Sequence, residues 1–122
     1  MEDRFIFRVP FFNNQDEFMG FGYYSMLKGI EPYNSGVAHI GKINLCTGLE
    51  VKGKMLYEGD VVYVRDFGRT YIVVWNYDQA SFEMKDLYNA GCGANINFGE
   101  DRVILGSIYE KQFREKIGNA YF

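Results

Sequence analysis

The stretch that decides the fold is residues 47–65, TGLEVKGKMLYEGDVVYVR. Three local signals follow one another in it: a polar turn bracketed by Gly48 and Gly53, a corner at Tyr57-Glu58-Gly59-Asp60, and the β-forming run Val61-Val62-Tyr63-Val64. Gly59 adopts the positive φ of a tight corner without a side-chain penalty, and Asp60 is suited to hydrogen-bond back to the amides just after it. The stretch therefore predicts turn, corner and strand, an order that suits a small β-barrel.

On both sides of this stretch, alternating apolar and polar residues predict further strands. These are Arg4–Pro10, Glu17–Met26 and Val37–Leu45 before it, and Thr70–Trp75, Ala80–Asp86 and Arg102–Ser107 after it. Pro10 is expected to end the first strand, whereas Gly20 and Gly22 indicate a bulge or a close backbone approach in the second. Residues 66–69, DFGR, are typical of a hairpin turn.

The remaining segments are connections and one helix. Residues 28–36 and 89–100 are rich in glycine and asparagine and are expected to be loops. Apolar residues at i, i+4 and i+8 between Tyr109 and Ile117 favour a short amphipathic helix over an irregular tail. The expected fold is one mostly β domain with an N-terminal strand pair and loop (1–36), a small SH3-like or split β-barrel (37–107), and a C-terminal helix or tail (108–122).

The composition of the chain disfavours several classes of function. The chain has a net charge of −3, which disfavours nucleic acid as a partner because non-specific binding rests on many Lys and Arg contacts to phosphate. Only two cysteines and one histidine are present, so neither a disulfide framework nor a metal site is indicated, and a reducing cytoplasm fits. No apolar run approaches the roughly 20 residues that span a bilayer, so no membrane partner is expected. No cofactor motif is present.

In two groups of residues, the sequence resembles the YopX family of small bacteriophage and prophage proteins. The first is Thr47-Gly48-Leu49, Gly53-Lys54 and Tyr57-Glu58-Gly59-Asp60-Val61-Val62; the second is Val73-Val74-Trp75 with Phe82, followed by Gly106-Ser107-Ile108-Tyr109-Glu110. The resemblance covers about residues 5–110 and departs from the family pattern in the segment 89–99 and in the tail. It implies a mostly β phage protein that forms homo-oligomers in the host cytoplasm. It implies no enzyme activity and supplies no catalytic residues.

An aromatic and arginine constellation is the candidate ligand site. Its members are Tyr63, Arg65, Arg69, Tyr71 and Trp75 on one hairpin, with Phe82 and Arg102 as secondary candidates. An aromatic plane gives a base a stacking surface, and a guanidinium gives a phosphate two hydrogen bonds. The alternative, which we favour, is that Tyr71 and Trp75 pack in the barrel core while the arginines are solvated. With 11 Phe and 10 Tyr, several aromatic residues are also expected in subunit contacts.

Catalytic alternatives are weaker. His39 lies on a predicted strand and is expected to be packed or solvated, since nothing in the sequence brings it to Cys46 or Cys92. The corner accounts for Glu58 and Asp60, so a catalytic pair of carboxylates is not expected. Residues 91–93, GCG, favour a flexible surface loop over a phosphate-binding loop. We therefore expect no enzyme activity.

Three functions remain open. The first is a phage-encoded anti-defence protein that sequesters a nucleotide-derived immune signal, such as a cyclic nucleotide or a cyclic ADP-ribose-type molecule. The second is a module that binds a host or phage protein through a sheet edge or the C-terminal helix. The third is binding of single-stranded nucleic acid through the aromatic hairpin, which conflicts with the acidic charge balance.

Overall fold

A computed structural model describes residues 5–27, 29–31, 36–89, 92–97 and 99–117, and it confirms the mostly β fold class. The described strands form two antiparallel sheets, and one short helix follows them. The elements are β1 (Phe5–Phe12), β2 (Phe18–Ser25), β3 (Gly29–Glu31), β4 (His39–Ile40), β5 (Asn44–Val51), β6 (Lys54–Tyr57), β7 (Asp60–Val64), β8 (Arg69–Asn76), β9 (Ser81–Asp86), β10 (Gly93–Asn95), β11 (Arg102–Ser107) and α1 (Lys111–Ile117).

The chain divides into two compact units, one ending at Cys46 and one beginning at Thr47. In the first unit, β1 pairs with β2, β2 pairs with β3, and β4 and the start of β5 also pair with β1. The sequence placed the start of the barrel at residue 37. In the structure, residues 39–40 and 44–45 instead pair with β1 in the N-terminal sheet. The single strand predicted over Val37–Leu45 is two separate elements.

Pro10 does not end β1, which continues to Phe12. Proline lacks only the backbone N–H, and its carbonyl still accepts a hydrogen bond, here from the N–H of Gly41 at 2.9 Å. The two glycines of β2 behave as expected. The register shifts beside Gly20, and a Cβ on Gly22 would lie 2.2 Å from the ring of Phe11, so this position needs glycine for close packing.

In the second unit, the end of β5 and β6 form a hairpin, and β10-β9-β8-β7-β11 form a five-stranded sheet. The hairpin turns at Lys52 and Gly53, which have φ of 49° and 83°. The expected turn at Gly48 is instead part of β5. One face of the sheet and the hairpin enclose the apolar core of this unit: Val51, Leu56, Val62, Val64, Tyr71, Val73 and Met84.

The corner between β6 and β7 forms at the predicted residues. Gly59 has φ of 87°, its N–H donates to Val73 O at 2.8 Å, and its carbonyl accepts from Ile108 N at 2.9 Å. The Asp60 carboxylate accepts a hydrogen bond from the N–H of Tyr57, an amide before it in the chain, at 2.8 Å. The corner is thus fixed to β8 and to the segment before α1.

α1 begins at Lys111, two residues later than predicted. A reciprocal cap precedes it: the carboxylate of Glu110 accepts from the N–H of Ser107, and the hydroxyl of Ser107 accepts from the N–H of Tyr109. The Ser-x-x-Glu spacing is that of a capping box, but here the hydroxyl reaches the N–H of Tyr109, and the N–H of Glu110 donates to the carbonyl of Ser107. Among Lys111–Lys116, the side chain of Phe113 is the buried one.

Candidate ligand-binding site

The register of the β7–β8 hairpin separates the aromatic residues that the sequence grouped together. Val62 is the cross-strand partner of Tyr71, whereas Tyr63 is the partner of Thr70. Because successive side chains of a strand point to opposite faces, Tyr71 lies on the core face of the sheet and Tyr63 on the other face. Tyr71 is only 4% exposed and belongs to the core cluster, as in the structural alternative that we favoured.

The three arginines each contact a different part of the chain. Arg69 lies 3.5 Å from the carboxylate of the buried Asp86, and Arg65 lies 4.0 Å from that of Asp101. Arg102 donates a hydrogen bond to the carbonyl of Ile96. Arg69 and Arg102 do share a cross-strand row, because both pair with Val64 from opposite sides. Within the described residues, none of the three arginines lines the cavity described below.

Trp75 and Phe82 are the two predicted site residues that the structure joins most closely. They are cross-strand partners, and their rings meet edge to face at a centroid distance of 4.8 Å. Both side chains are half-buried, and Phe82 also packs against the core cluster. The pair therefore forms the border between the core and the surface at this end of β8 and β9.

A cavity of about 440 Å³ opens next to this pair, along β9 and the short strand β10. Polar groups dominate its wall, because Ser81, Glu83 and Lys85 share one face of β9, whereas the side chain of Phe82 lies on the opposite face, against the core cluster. The lining residues are Gln79, Ser81, Phe82, Glu83, Lys85, Cys92, Gly93, Ala94 and Asn95. All of them belong to the second unit.

Local structure fixes each wall of this cavity. Glu83 and Lys85 occupy alternate positions of β9, so they share one face, and Lys85 Nζ lies 3.8 Å from the Glu83 carboxylate. The side-chain amide of Asn76 donates to the second oxygen of Glu83 at 3.4 Å. A Cβ on Gly93 would lie 2.9 Å from the carbonyl of Met84, so glycine allows β10 to approach β9.

Sequence reasoning found only Phe82 among the residues of this cavity. It treated residues 89–100 as a loop, and β10 lies within that range. The available signal was weak. Alternation over Gly93-Ala94-Asn95 is short, and the turn after it is marked only by Asn95, whose side-chain oxygen accepts from the N–H of Asn97 at 2.9 Å.

Asp60 and His39, which the sequence raised as catalytic alternatives, make structural contacts. Asp60 is occupied at the corner, and His39 is half-exposed, stacked on Phe12 and 3.5 Å from the carboxylate of Asp16. Cys46 and Cys92 are both free thiols. Among the described residues, no cluster of three or more potential metal-ligating side chains occurs, and no helix has the length and apolar character of a membrane span.

Comparisons of the chain with protein-family models, with curated proteins and with solved structures return no match. The resemblance to the YopX family therefore stays a prediction from the quoted motifs.

Proposed function

We propose that the protein acts by binding a nucleotide-derived ligand in the β9–β10 cavity, without transforming it. The observation that carries this proposal is the cavity itself, about 440 Å³ in volume and lined by amide, hydroxyl, ammonium and carboxylate groups. Small-molecule sites have volumes of roughly 300–1,000 Å³. The polar lining suits a ligand with many hydrogen-bonding groups.

Each class of lining group matches a part of a nucleotide. The ammonium of Lys85 donates to a phosphate, and the carboxylate of Glu83 accepts hydrogen bonds from ribose hydroxyls, a role that acidic residues have in dinucleotide sites. The amides of Gln79 and Asn95 present both donors and acceptors to the edge of a base.

The charge balance of the cavity sets a preference among nucleotides. Among the described residues of the lining, Lys85 is the only cationic one, and Glu83 lies 3.8 Å from it. The Glu83 carboxylate would repel a ligand with several phosphates, and the ammonium of Lys85 would offset little of that repulsion. We therefore expect a cyclic mononucleotide to bind more tightly than a nucleoside triphosphate, with cyclic ADP-ribose-type molecules between them.

Sequestration of an immune signal is the biological role that this binding serves. That part of the proposal rests on the resemblance to a phage family and on the expectation of binding without turnover. A phage protein that holds the signal keeps its free concentration below the level that activates a host defence.

The test measures the melting temperature and binding isotherms of the whole chain with cyclic mononucleotides, cyclic ADP-ribose and nucleoside triphosphates. We expect saturable binding, and mass spectrometry should recover the bound nucleotide unchanged. Loss of a charge-assisted contact costs about 1.5–3 kcal/mol, so Lys85→Ala should weaken binding about 10- to 150-fold. Lys54→Ala is the control, because this exposed lysine of β6 lies outside the cavity.

Three results would each count against the proposal. They are no change in melting temperature across the panel, equal loss of affinity in the two lysine variants, and conversion of the ligand over many turnovers.

Binding of a protein partner is the second candidate function. It is favoured by the aliphatic side chains that the first unit exposes, including Met26 (76%), Leu27 (74%) and Ile40 (54%). Exposed apolar surface of this kind is typical of interaction sites. A partner of this kind should bind equally well to the Lys85→Ala variant, which separates it from the ligand-binding proposal.

A further inference from the structure

The side chain of Asn76, at the end of β8, connects two walls of the β9–β10 cavity. Its Nδ2 donates a hydrogen bond to Oε2 of Glu83 at 3.4 Å. Its Oδ1 accepts from the backbone N–H groups of Asp78 at 3.0 Å and of Gln79 at 3.2 Å. Glu83 and Gln79 both line the cavity, so this one side chain holds a carboxylate of β9 and the turn that leads into β9.

The contacts of Oδ1 determine which way the Asn76 amide points. An amide has an acceptor oxygen and a donor nitrogen, and a rotated amide would place its nitrogen against two N–H donors. The oxygen therefore faces the turn, and the nitrogen faces Glu83. Asn76 also pairs directly with Ser81 across the hairpin, which places it on the face of the sheet that Ser81 and Glu83 share.

The Glu83 carboxylate is held on two sides and still has room to accept hydrogen bonds. Oε2 accepts from Asn76, and Oε1 lies 3.8 Å from the ammonium of Lys85. The two oxygens of a carboxylate have about four lone-pair sites between them, so these contacts leave sites for a ligand. Because the carboxylate is already oriented, little side-chain entropy remains to be lost when a ligand binds it.

A fixed, negatively charged acceptor favours a hydroxyl donor over a second anion. In a 3′,5′-cyclic mononucleotide, the 2′-hydroxyl is the free hydroxyl of the ribose, because the cyclic phosphate takes the other two oxygens. Acidic side chains accept a hydrogen bond from this hydroxyl in dinucleotide sites. A site that binds a hydroxyl in this way discriminates against the analogue without it, because its own polar group is then left unpaired.

We propose that Glu83, positioned by Asn76, makes the β9–β10 cavity selective for ribonucleotides over 2′-deoxyribonucleotides. This inference rests on the proposed function, because it assigns a preference to the same cavity. Glu83 contacts the ribose hydroxyl, whereas Asn76 acts through Glu83 as a positioning residue. The Glu83 side chain is 29% exposed, so water weakens the effect, and we expect a preference of at least about tenfold.

The test is titration calorimetry on the full chain with cyclic AMP and 2′-deoxy cyclic AMP, and with cyclic GMP and its 2′-deoxy analogue. The measured quantity is the ratio of the two affinities in each pair. Glu83→Ala removes the acceptor, so the ratio should fall to about one. Asn76→Asp keeps the oxygen that holds the turn but places a carboxylate oxygen against Glu83. The repulsion should displace the Glu83 carboxylate, so the ratio should fall in this variant as well.

Asn13→Asp is the matched control, because Asn13 makes the same set of contacts in the first unit. Its Oδ1 accepts from the N–H groups of Gln15 and Glu17, and its Nδ2 donates to Oε1 of Glu17 at 3.0 Å. The substitution has the same chemistry and the same change of charge, but it lies away from the cavity. It should leave the ratio unchanged.

The ratio separates this inference from the proposed function. Equal binding of the ribose and deoxyribose probes by the wild type overturns the selectivity and leaves the cavity as a nucleotide site. Binding of neither probe overturns the proposed function and the selectivity with it. If Asn76→Asp weakens both probes by the same factor, or if Asn13→Asp lowers the ratio equally, Asn76 does not position Glu83. Circular dichroism checks that each variant is folded, and Glu83→Ala tests the selectivity even where Asn76→Asp does not fold.

Discussion

The carboxylate of Asp60 holds the corner between β6 and β7, and its removal should be among the most damaging single changes in the second unit. It accepts a hydrogen bond from the N–H of Tyr57 at 2.8 Å, and Asp60 is only 3% exposed. A hydrogen bond to a charged group contributes about 1.5–3 kcal/mol, and the donor left behind is buried. We expect Asp60→Ala to lower the free energy of unfolding by about 2–4 kcal/mol.

Urea denaturation, followed by circular dichroism and tryptophan fluorescence, measures this change through the midpoint and the slope. Asp60→Asn keeps an acceptor oxygen without the charge, so its loss should be smaller than that of the alanine variant. Asp78→Ala is the matched control in the exposed turn between β8 and β9, and it should change stability by less than about 0.5 kcal/mol. If Asp60→Ala and Asp78→Ala have the same midpoint, the carboxylate does not hold the corner.

Two further changes are measured by the same denaturation. Leu56→Ala removes a fully buried side chain of the core and should cost about 2–5 kcal/mol, whereas Leu105→Ala, at a 44% exposed position, should be nearly neutral; similar losses would argue against the core as described. The pKa of Asp66 is lowered from 3.8, mainly because its carboxylate accepts a hydrogen bond from the N–H of Asp101. Its contribution to stability is therefore present above pH 3.8 and is lost as the pH falls through the lower folded value, so the midpoints of wild type and Asp66→Asn should converge on acidification. A constant difference between them would contradict this role.

The strands were predictable from the sequence because alternation of apolar and polar residues is a local property. Ala80–Asp86 and Arg102–Ser107 match β9 and β11 closely, and Thr70–Trp75 lies within β8. The N-terminal sheet was harder to predict. Residues 39–45 join it through pairs such as Arg8 with Asn44, and that contact between distant residues leaves no periodic mark in the sequence.

Which aromatic residues of the hairpin share a face depends on its register. Tyr63 and Tyr71 would share a face if the hairpin paired them directly, but the turn pairs Val64 with Arg69 and therefore Tyr63 with Thr70. A shift of one residue in the turn reverses every side chain of the following strand. Aromatic content alone could not decide this.

The most specific sequence motifs explain the architecture, and the candidate site lies where the motifs are weakest. Gly59 of the corner accepts a hydrogen bond from Ile108 of the closing motif at 2.9 Å, so the two motifs that carry the family resemblance meet through the backbone. The Ser107 and Glu110 cap then directs the chain into α1. Residues that fix a corner and a helix start are constrained by geometry, so we expect the specificity of the proposed ligand binding at the β9–β10 cavity and not at the corner.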